Sequence, residues 1–211
     1  EYLLDHTFSK LHVLPLEEAI GRLQTGALPR RAACITFDDG YPDWLAGVAP
    51  ALRRRNLHAT FVITSGQFDG VPLWHERILA AVRRLSGPSL DMGIPFLPAQ
   101  PVASIDDRRR QVQRLEQELK YLTLYRREQI LQQLEAEAGV HSADVPVMSK
   151  TQLRDLHSQG FGIGAHTALH PILDYCNAEE VEREIGGARE RLQAIVRGPV
   201  NGFAYPNGRP Y

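Results

Sequence analysis

Short apolar, β-prone runs alternate with helical runs along much of this chain, and that alternation narrows its fold more than any other feature. Residues 33–37, 59–63 and 161–165 read as strands, and a fourth short strand from Val200 ends in the turn Pro206-Asn207-Gly208. Residues 16–24 read as a helix with Leu16, Ala19, Ile20 and Leu23 on one face, ended by Gly26 and Pro29. Residues 43–55 follow as a helix that turns Trp44, Val48 and Leu52 inward. Residues 153–157 belong to a helix with Ser149 as N-cap, Gln152 in the capping-box position and Gly160 as the stop. Asn177 caps a last helix running to about Val196. Strands alternating with helices argue for a parallel sheet with right-handed crossovers, an α/β fold. At 211 residues the chain is one domain able to bury a full core.

The first strand run ends in two acids and a glycine, Cys34-Ile35-Thr36-Phe37-Asp38-Asp39-Gly40. Neighbouring side chains on a strand point to opposite faces, so the two acids cannot both decorate one solvated face. Adjacent carboxylates also repel unless a cation or a shared proton relieves them. One reading is a plain Asp-Gly turn. The other gives one acid to a metal and one to proton transfer, and requires partners elsewhere.

Those partners stand in Gly164-Ala165-His166-Thr167-Ala168-Leu169-His170-Pro171, directly after another strand run. Two histidines four apart can meet on one side of a helical turn and share a cation. The other histidines, at 6, 12, 58, 75, 141 and 157, are scattered and read as surface or ordinary packing residues. Both the acid pair and the histidine pair sit where a strand hands over to a loop, the place where α/β proteins build sites. One carboxylate with two histidines leaves open coordination positions, the pattern of a catalytic rather than a structural metal. The turn Tyr205-Pro206-Asn207-Gly208 can aim backbone N–H groups into a cleft, as an oxyanion hole needs.

Taken together these segments resemble the polysaccharide deacetylase family, also called the NodB-homology domain or carbohydrate esterase family 4. Thr36-Phe37-Asp38-Asp39-Gly40 matches its first motif, and His166-Thr167-Ala168-Leu169-His170 matches its His-Ser/Thr-x-x-His motif. Phe203-Ala204-Tyr205-Pro206-Asn207-Gly208 resembles the Phe-Ala-Tyr-Pro-x-Gly variant of the third, with Ala204 where many members carry an arginine that orients the base. The likeness covers most of 12–68 and 146–211. It implies a distorted (β/α) barrel with the site at the C-terminal ends of the strands. It implies Asp38 as catalytic base and Asp39, His166 and His170 as metal ligands, with Zn²⁺ expected and Co²⁺, Ni²⁺ or Fe²⁺ admitted by the donors. It further implies Asn207 or Tyr205 as backbone donor to the oxyanion, and Tyr41, Trp74 and Pro206 as residues that touch the sugar.

The implied reaction is hydrolysis of N-acetyl groups on amino sugars of a polysaccharide or glycoconjugate. O-acetyl ester hydrolysis passes through the same oxyanion, and a non-catalytic carbohydrate-binding relative would carry the same motifs. The family's general-acid histidine comes from a late Leu-x-His motif, so it and the last strands of the barrel are expected beyond Tyr211. Export to the periplasm or cell envelope, where such substrates lie, follows as the expected location.

Residues 69–147 exceed what the fold needs and read as an inserted helical segment: a helix over 74–85, a proline-rich loop over 88–101, and charged helices over 104–121 and 124–138, the last capped by Thr123 and stopped by Gly139. The insert either packs as a helical excursion on the barrel or walls the cleft. Trp74, near its entry, either stacks on a sugar ring or packs in the core. The net charge of −1 and the lack of a basic stripe argue against nucleic acid. Apolar runs fall far short of the ~18 residues that span a bilayer. Two cysteines make no disulfide framework. Cys34 is expected as a buried free thiol on the core strand, and Cys176 is not expected to ligate metal.

Overall fold

The computed structural model describes residues 8–208. His6 and the expected general acid beyond Tyr211 lie outside them. In chain order the elements are His12–Val13 (β1), Leu16–Gln24 (α1), Ala32–Ala33 (β2), Thr36–Asp39 (β3), Val48–Arg53 (α2), Thr60–Ile63 (β4), Trp74–Arg84 (α3), Ser89–Leu90 (β5) and Gln100–Pro101 (β6). Then come Ile105–Leu119 (α4), Leu124–Ala138 (α5), Lys150–Ser158 (α6), Gly162–Ala165 (β7), Ala178–Glu182 (α7), Ala188–Val196 (α8) and Gly202–Phe203 (β8).

Strands β3, β4, β7 and β8 form one sheet in that order, every pair parallel. Among the described residues it is an open arc of four strands, the α/β arrangement expected without closure into a barrel. Central strand β4 is buried at every position, as a strand covered on both faces must be. The register aligns Asp39 with Ile63, Ile63 with Ala165 and Ala165 with Phe203. The ladder runs one residue further: Thr64 N–H donates to the Asp39 carbonyl, His166 N–H to Ile63 and Ala204 N–H to Ala165. Four chain segments therefore end in one row, and the next residue of each faces the same edge of the sheet.

Several expected elements are broken, each for a local reason. The run 33–37 is not one strand. Ala32–Ala33 pairs with β1, and the chain then crosses to pair Thr36–Asp39 with β4. Cys34 lies in that crossing and is half-buried, and burial pushes its thiol pKa up. The helix expected over 43–55 is a 3-10 turn at Pro42–Trp44 followed by α2. Pro50 can stand only in a first helical turn, which fixes where α2 starts. Trp44 and Leu52 are buried as expected. The apolar face of α1 is left open at Ile20 and Leu23 among the described residues. The helix after Asn177 carries a wide π turn at Arg183–Gly187. The caps at Ser149, Thr123, Asn177 and Gly139 form as read.

Two apolar cores result. One lies under the sheet, from Ile35, Phe61, Ile63, Leu153, Leu156, Ile163 and Leu192. The second lies among α3, α4 and α5, around Ile78, Leu115, Leu119, Ile130, Leu131 and Leu134. The stretch expected as loop over 88–101 joins it through the antiparallel pair β5 and β6. Leu90, Met92 and Ile94 alternate into that core, a period-two signal hidden among four prolines. Buried Arg77 of α3 is gripped by Glu135 at 2.7 Å and Glu128 at 2.6 Å, both from α5.

Candidate metal centre

Asp39 closes β3 with a φ of +85°, and Gly40 follows at +97°. A side chain at Gly40 would put its Cβ 2.8 Å from Gln67 Nε2, so only glycine fits. Gln67 is buried and donates to the Asp39 carbonyl at 2.7 Å while its Oε1 accepts from Met148 N–H at 3.2 Å. This left-handed step, rare outside glycine, ends β3 at a cleft that Asp38 and Asp39 both line. The cleft is about 440 Å³, lined also by Trp74, His75, Glu116, Gln117, Lys120, His166, His170, Tyr205, Asn207 and Gly208.

At its floor, Asp39 Oδ1 lies 3.2 Å from His170 Nε2 and 3.5 Å from His166 Nε2. The three candidate ligand atoms lie within 4.8 Å of one another. His166 Nδ1 is 2.9 Å from the Ala204 carbonyl, which can only accept, so Nδ1 carries the hydrogen and Nε2 presents a lone pair. A lone pair facing a carboxylate oxygen is repulsive unless a cation lies between them. Asp39 Oδ1 and His170 Nδ1 are both buried without a hydrogen-bond partner. This donor set, with its orphaned carboxylate oxygen, fits a divalent metal held by three protein ligands. Burial would raise the Asp39 carboxyl, but His170, then His75 and His166, outweigh it and hold its pKa below the ordinary value.

The two histidines do not meet on a helical turn. Residues 166–170 form an irregular bend with Thr167 and His170 at positive φ, and the imidazole rings come within 4.9 Å. Gly66 N–H donates to the Ala168 carbonyl there, and a Cβ on Gly66 would strike that oxygen at 2.6 Å.

Asp38 is exposed at the cleft mouth. Tyr205 and Asn207 also border the cleft, on a turn closed by Gly208 N–H to the Tyr205 carbonyl at 3.2 Å. Pro206 is buried and lines a neighbouring groove with Lys120, Tyr121, Ile172, Leu173 and Asp174 rather than the cleft itself. Tyr41 donates its hydroxyl to Glu76 at 3.2 Å and meets His75 Nε2 at 3.0 Å, and burial pushes its pKa up. Trp74 is no open platform for a sugar. It is buried, its Nε1 donates to the His170 carbonyl at 3.2 Å, and the Arg127 guanidinium covers its ring at 5.0 Å.

His75, read from sequence as a surface or packing residue, belongs to the site: its Nε2 lies 3.8 Å from Asp39 Oδ2, and burial pushes its pKa down to about 4. No sequence signal marks it, since its partners come from 34 residues earlier and 95 residues later. Glu116, Gln117 and Lys120 of the α4 end were likewise invisible as cleft residues. Cys176 stands outside the cluster, half-buried against the Ile172 carbonyl.

Fold and site define a parallel β/α protein with a His₂Asp cluster at the C-terminal ends of its strands. The chain belongs to the polysaccharide deacetylase family, whose model matches residues 25–84 and 123–211. In fold it is similar to the Streptococcus pyogenes deacetylase PplD in complex with acetate, at 15% identity and a TM-score of 0.56, covering 99% of this chain and 60% of that one. It is also similar to IcaB from Ammonifex degensii, at 14% identity and a TM-score of 0.53, covering 96% of this chain and 62% of that one. The BpsB deacetylase domain from Bordetella bronchiseptica matches at 14% identity and a TM-score of 0.50, covering 97% of this chain and 67% of that one. The chain thus spans roughly two thirds or less of these relatives. No curated protein matches it in sequence.

Proposed function

We propose that the protein is a metal-dependent hydrolase that removes N-acetyl groups from amino sugars of a polysaccharide or glycoconjugate. The observation that carries this reading is the convergence of His166 and His170 Nε2 on Asp39 Oδ1, at 3.5 and 3.2 Å, on the floor of a cleft that Asp38 borders. Asp39, His166 and His170 would hold a divalent ion, Zn²⁺ by preference and Co²⁺ or Ni²⁺ by the same donors. When bound, such an ion polarises a carbonyl and acidifies a water.

The chain's own residues orient the ligands, take a proton and border the oxyanion. The Ala204 carbonyl fixes the His166 tautomer, the usual task of an outer hydrogen bond on a metal histidine. Asp38, outside the ligand cluster and open to solvent, takes the proton of the attacking water. The backbone N–H of Asn207, or that of Tyr205, is the donor assigned to the oxyanion. Tyr41, tied to His75 and Glu76, holds the cleft wall beside Asp39. Export to the cell envelope is part of the proposal, because polymers of acetylated amino sugars lie there.

The test is acetate release from N-acetylated chitin oligomers, poly-N-acetylglucosamine and peptidoglycan fragments with Zn²⁺ added, run beside acetylated xylan. Release from an amide substrate, faster than from xylan, is expected. Faster release from xylan would transfer the reading to an O-acetyl esterase. No release from any of them by metal-loaded protein would contradict both.

A further inference from the structure

Residues 166–170 supply two of the three candidate ligands in a conformation that the backbone does not favour. Thr167 and His170 stand at φ +64° and +55°, which costs a non-glycine residue about 1 kcal/mol or more each. Such a segment keeps its shape only where its surroundings hold it. Two buried side chains of opposite charge grip it. Arg127 of α5, 4% exposed, donates from Nη1 to the His170 carbonyl at 3.1 Å and from Nη2 to the Leu169 carbonyl at 2.7 Å. Glu184, 3% exposed, sits in the π turn before α8 and accepts from the N–H groups of Ala168 at 2.9 Å and Leu169 at 2.8 Å. Trp74 adds its indole N–H to the His170 carbonyl and lies under the guanidinium.

Burial opposes both charges. It pushes the Arg127 guanidinium down to about 10 and the Glu184 carboxyl up. Apolar side chains of similar volume would fill such space at lower cost. What the two charges do that apolar groups cannot is hold a short backbone segment by its carbonyls and by its N–H groups at once.

We propose that Arg127 and Glu184 are positioning residues that clamp residues 166–170 in the strained form, and so set the affinity of the centre for its metal. The clamp rests on the metal reading given above. Neither residue touches the cluster: Arg127 acts through the His170 carbonyl, and Glu184 through the two peptides before it. The clamp also ties the helical core, through α5, to the loop at the sheet edge.

The test compares Arg127→Met, Arg127→Lys, Glu184→Gln and the Arg127→Met/Glu184→Gln double variant. Zn²⁺ affinity is read by competition with a chromophoric chelator and Co²⁺ geometry by its d–d spectrum, with folding checked by circular dichroism. Arg127→Met is expected to weaken Zn²⁺ binding about 10–100-fold, the usual effect of losing an outer partner of a metal ligand, and to alter the Co²⁺ bands. Arg127→Lys should recover part of the loss, since an ammonium donates but lacks the fork. The double variant removes both buried charges, so it regains stability over Arg127→Met while its metal affinity stays low. Zn²⁺ binding within about threefold of the parent in Arg127→Met, or affinity restored in the double variant, would reduce the pair to charge balance and overturn the clamp. If Arg127→Met fails to fold, Arg127→Lys and the double variant decide on the same readouts. A parent that binds no Zn²⁺ would remove the metal reading and the clamp with it, whereas a parent that binds normally beside equally good variants removes the clamp alone.

Discussion

At Asp39 a φ of +85° ends the strand that carries the two acids. Along a continued strand, Asp38 and Asp39 would face opposite sides of the sheet. The left-handed step, followed by Gly40 and locked by Gln67, ends the strand with Asp39 turned in to the histidines and Asp38 exposed at the mouth. Asp39→Ala is expected to weaken Zn²⁺ binding by 100-fold or more, about 2.7 kcal/mol, as read in a chelator competition. Asp38→Asn should leave Zn²⁺ affinity nearly unchanged and lower the rate of acetate release about 10²–10⁴-fold, the range for losing a positioned base. Equal loss of metal in both variants would contradict the division. The acids, His166 and His170 were legible because chemistry-bearing residues clustered at strand ends in the sequence. His75 was not, because a lone histidine near the start of a helix carries no pattern until the fold delivers its partners.

The elements that carry the site do so through their ends. Strand pairing places Asp39, Ala165 and Phe203 in one row, so the last residue of β3 and the first residues after β7 and β8 come together without any one strand being long. The 3-10 turn after β4, Ser65–Asp69, braces the histidine bend through Ser65 and Gly66 N–H groups. Gly66→Ala would push a methyl into the Ala168 carbonyl. It should cost about 1–3 kcal/mol in urea denaturation and lower metal affinity as well, because the oxygen it displaces belongs to the histidine bend. Unchanged Zn²⁺ binding would show that the bend does not depend on this brace. Helix limits were legible where caps mark them, as at Ser149, Thr123 and Gly139. The breaks were harder to read, since they come from Pro50 restricting one helix and from the chain changing strand partners between Ala33 and Thr36, a tertiary choice.

On the scale of the molecule, elements built on two separate apolar cores supply the cleft. One supports the sheet, and the other supports α3, α4 and α5, which bring Trp74, His75, Lys120 and Arg127 to the site. The stretch 85–122 lies outside the family match, and its α4 end supplies Glu116, Gln117 and Lys120 to the cleft wall. That gap is shorter than the segment 69–147 expected as an insertion, whose ends, 69–84 and 123–147, lie within the match. Leu131 is almost fully buried in the helical core beside Arg127 on α5. Leu131→Ala should therefore cost about 2–5 kcal/mol by calorimetry and also weaken Zn²⁺ binding, although no atom of Leu131 approaches a ligand. A stability loss with full metal affinity would mean that the cores act independently. The sequence showed the α/β layering and the helices of this second core through their periodicity. It could not show that this second core delivers residues to the site.

The central claim is that Asp39, His166 and His170 bind one divalent metal. The most direct measurement is anomalous diffraction at the zinc edge from crystals grown with Zn²⁺. One strong peak is expected, bonded to Asp39 Oδ1 and to Nε2 of both histidines at about 2.0–2.2 Å. Crystals whose zinc lies elsewhere, with the three side chains still facing one another and no peak between them, would contradict it.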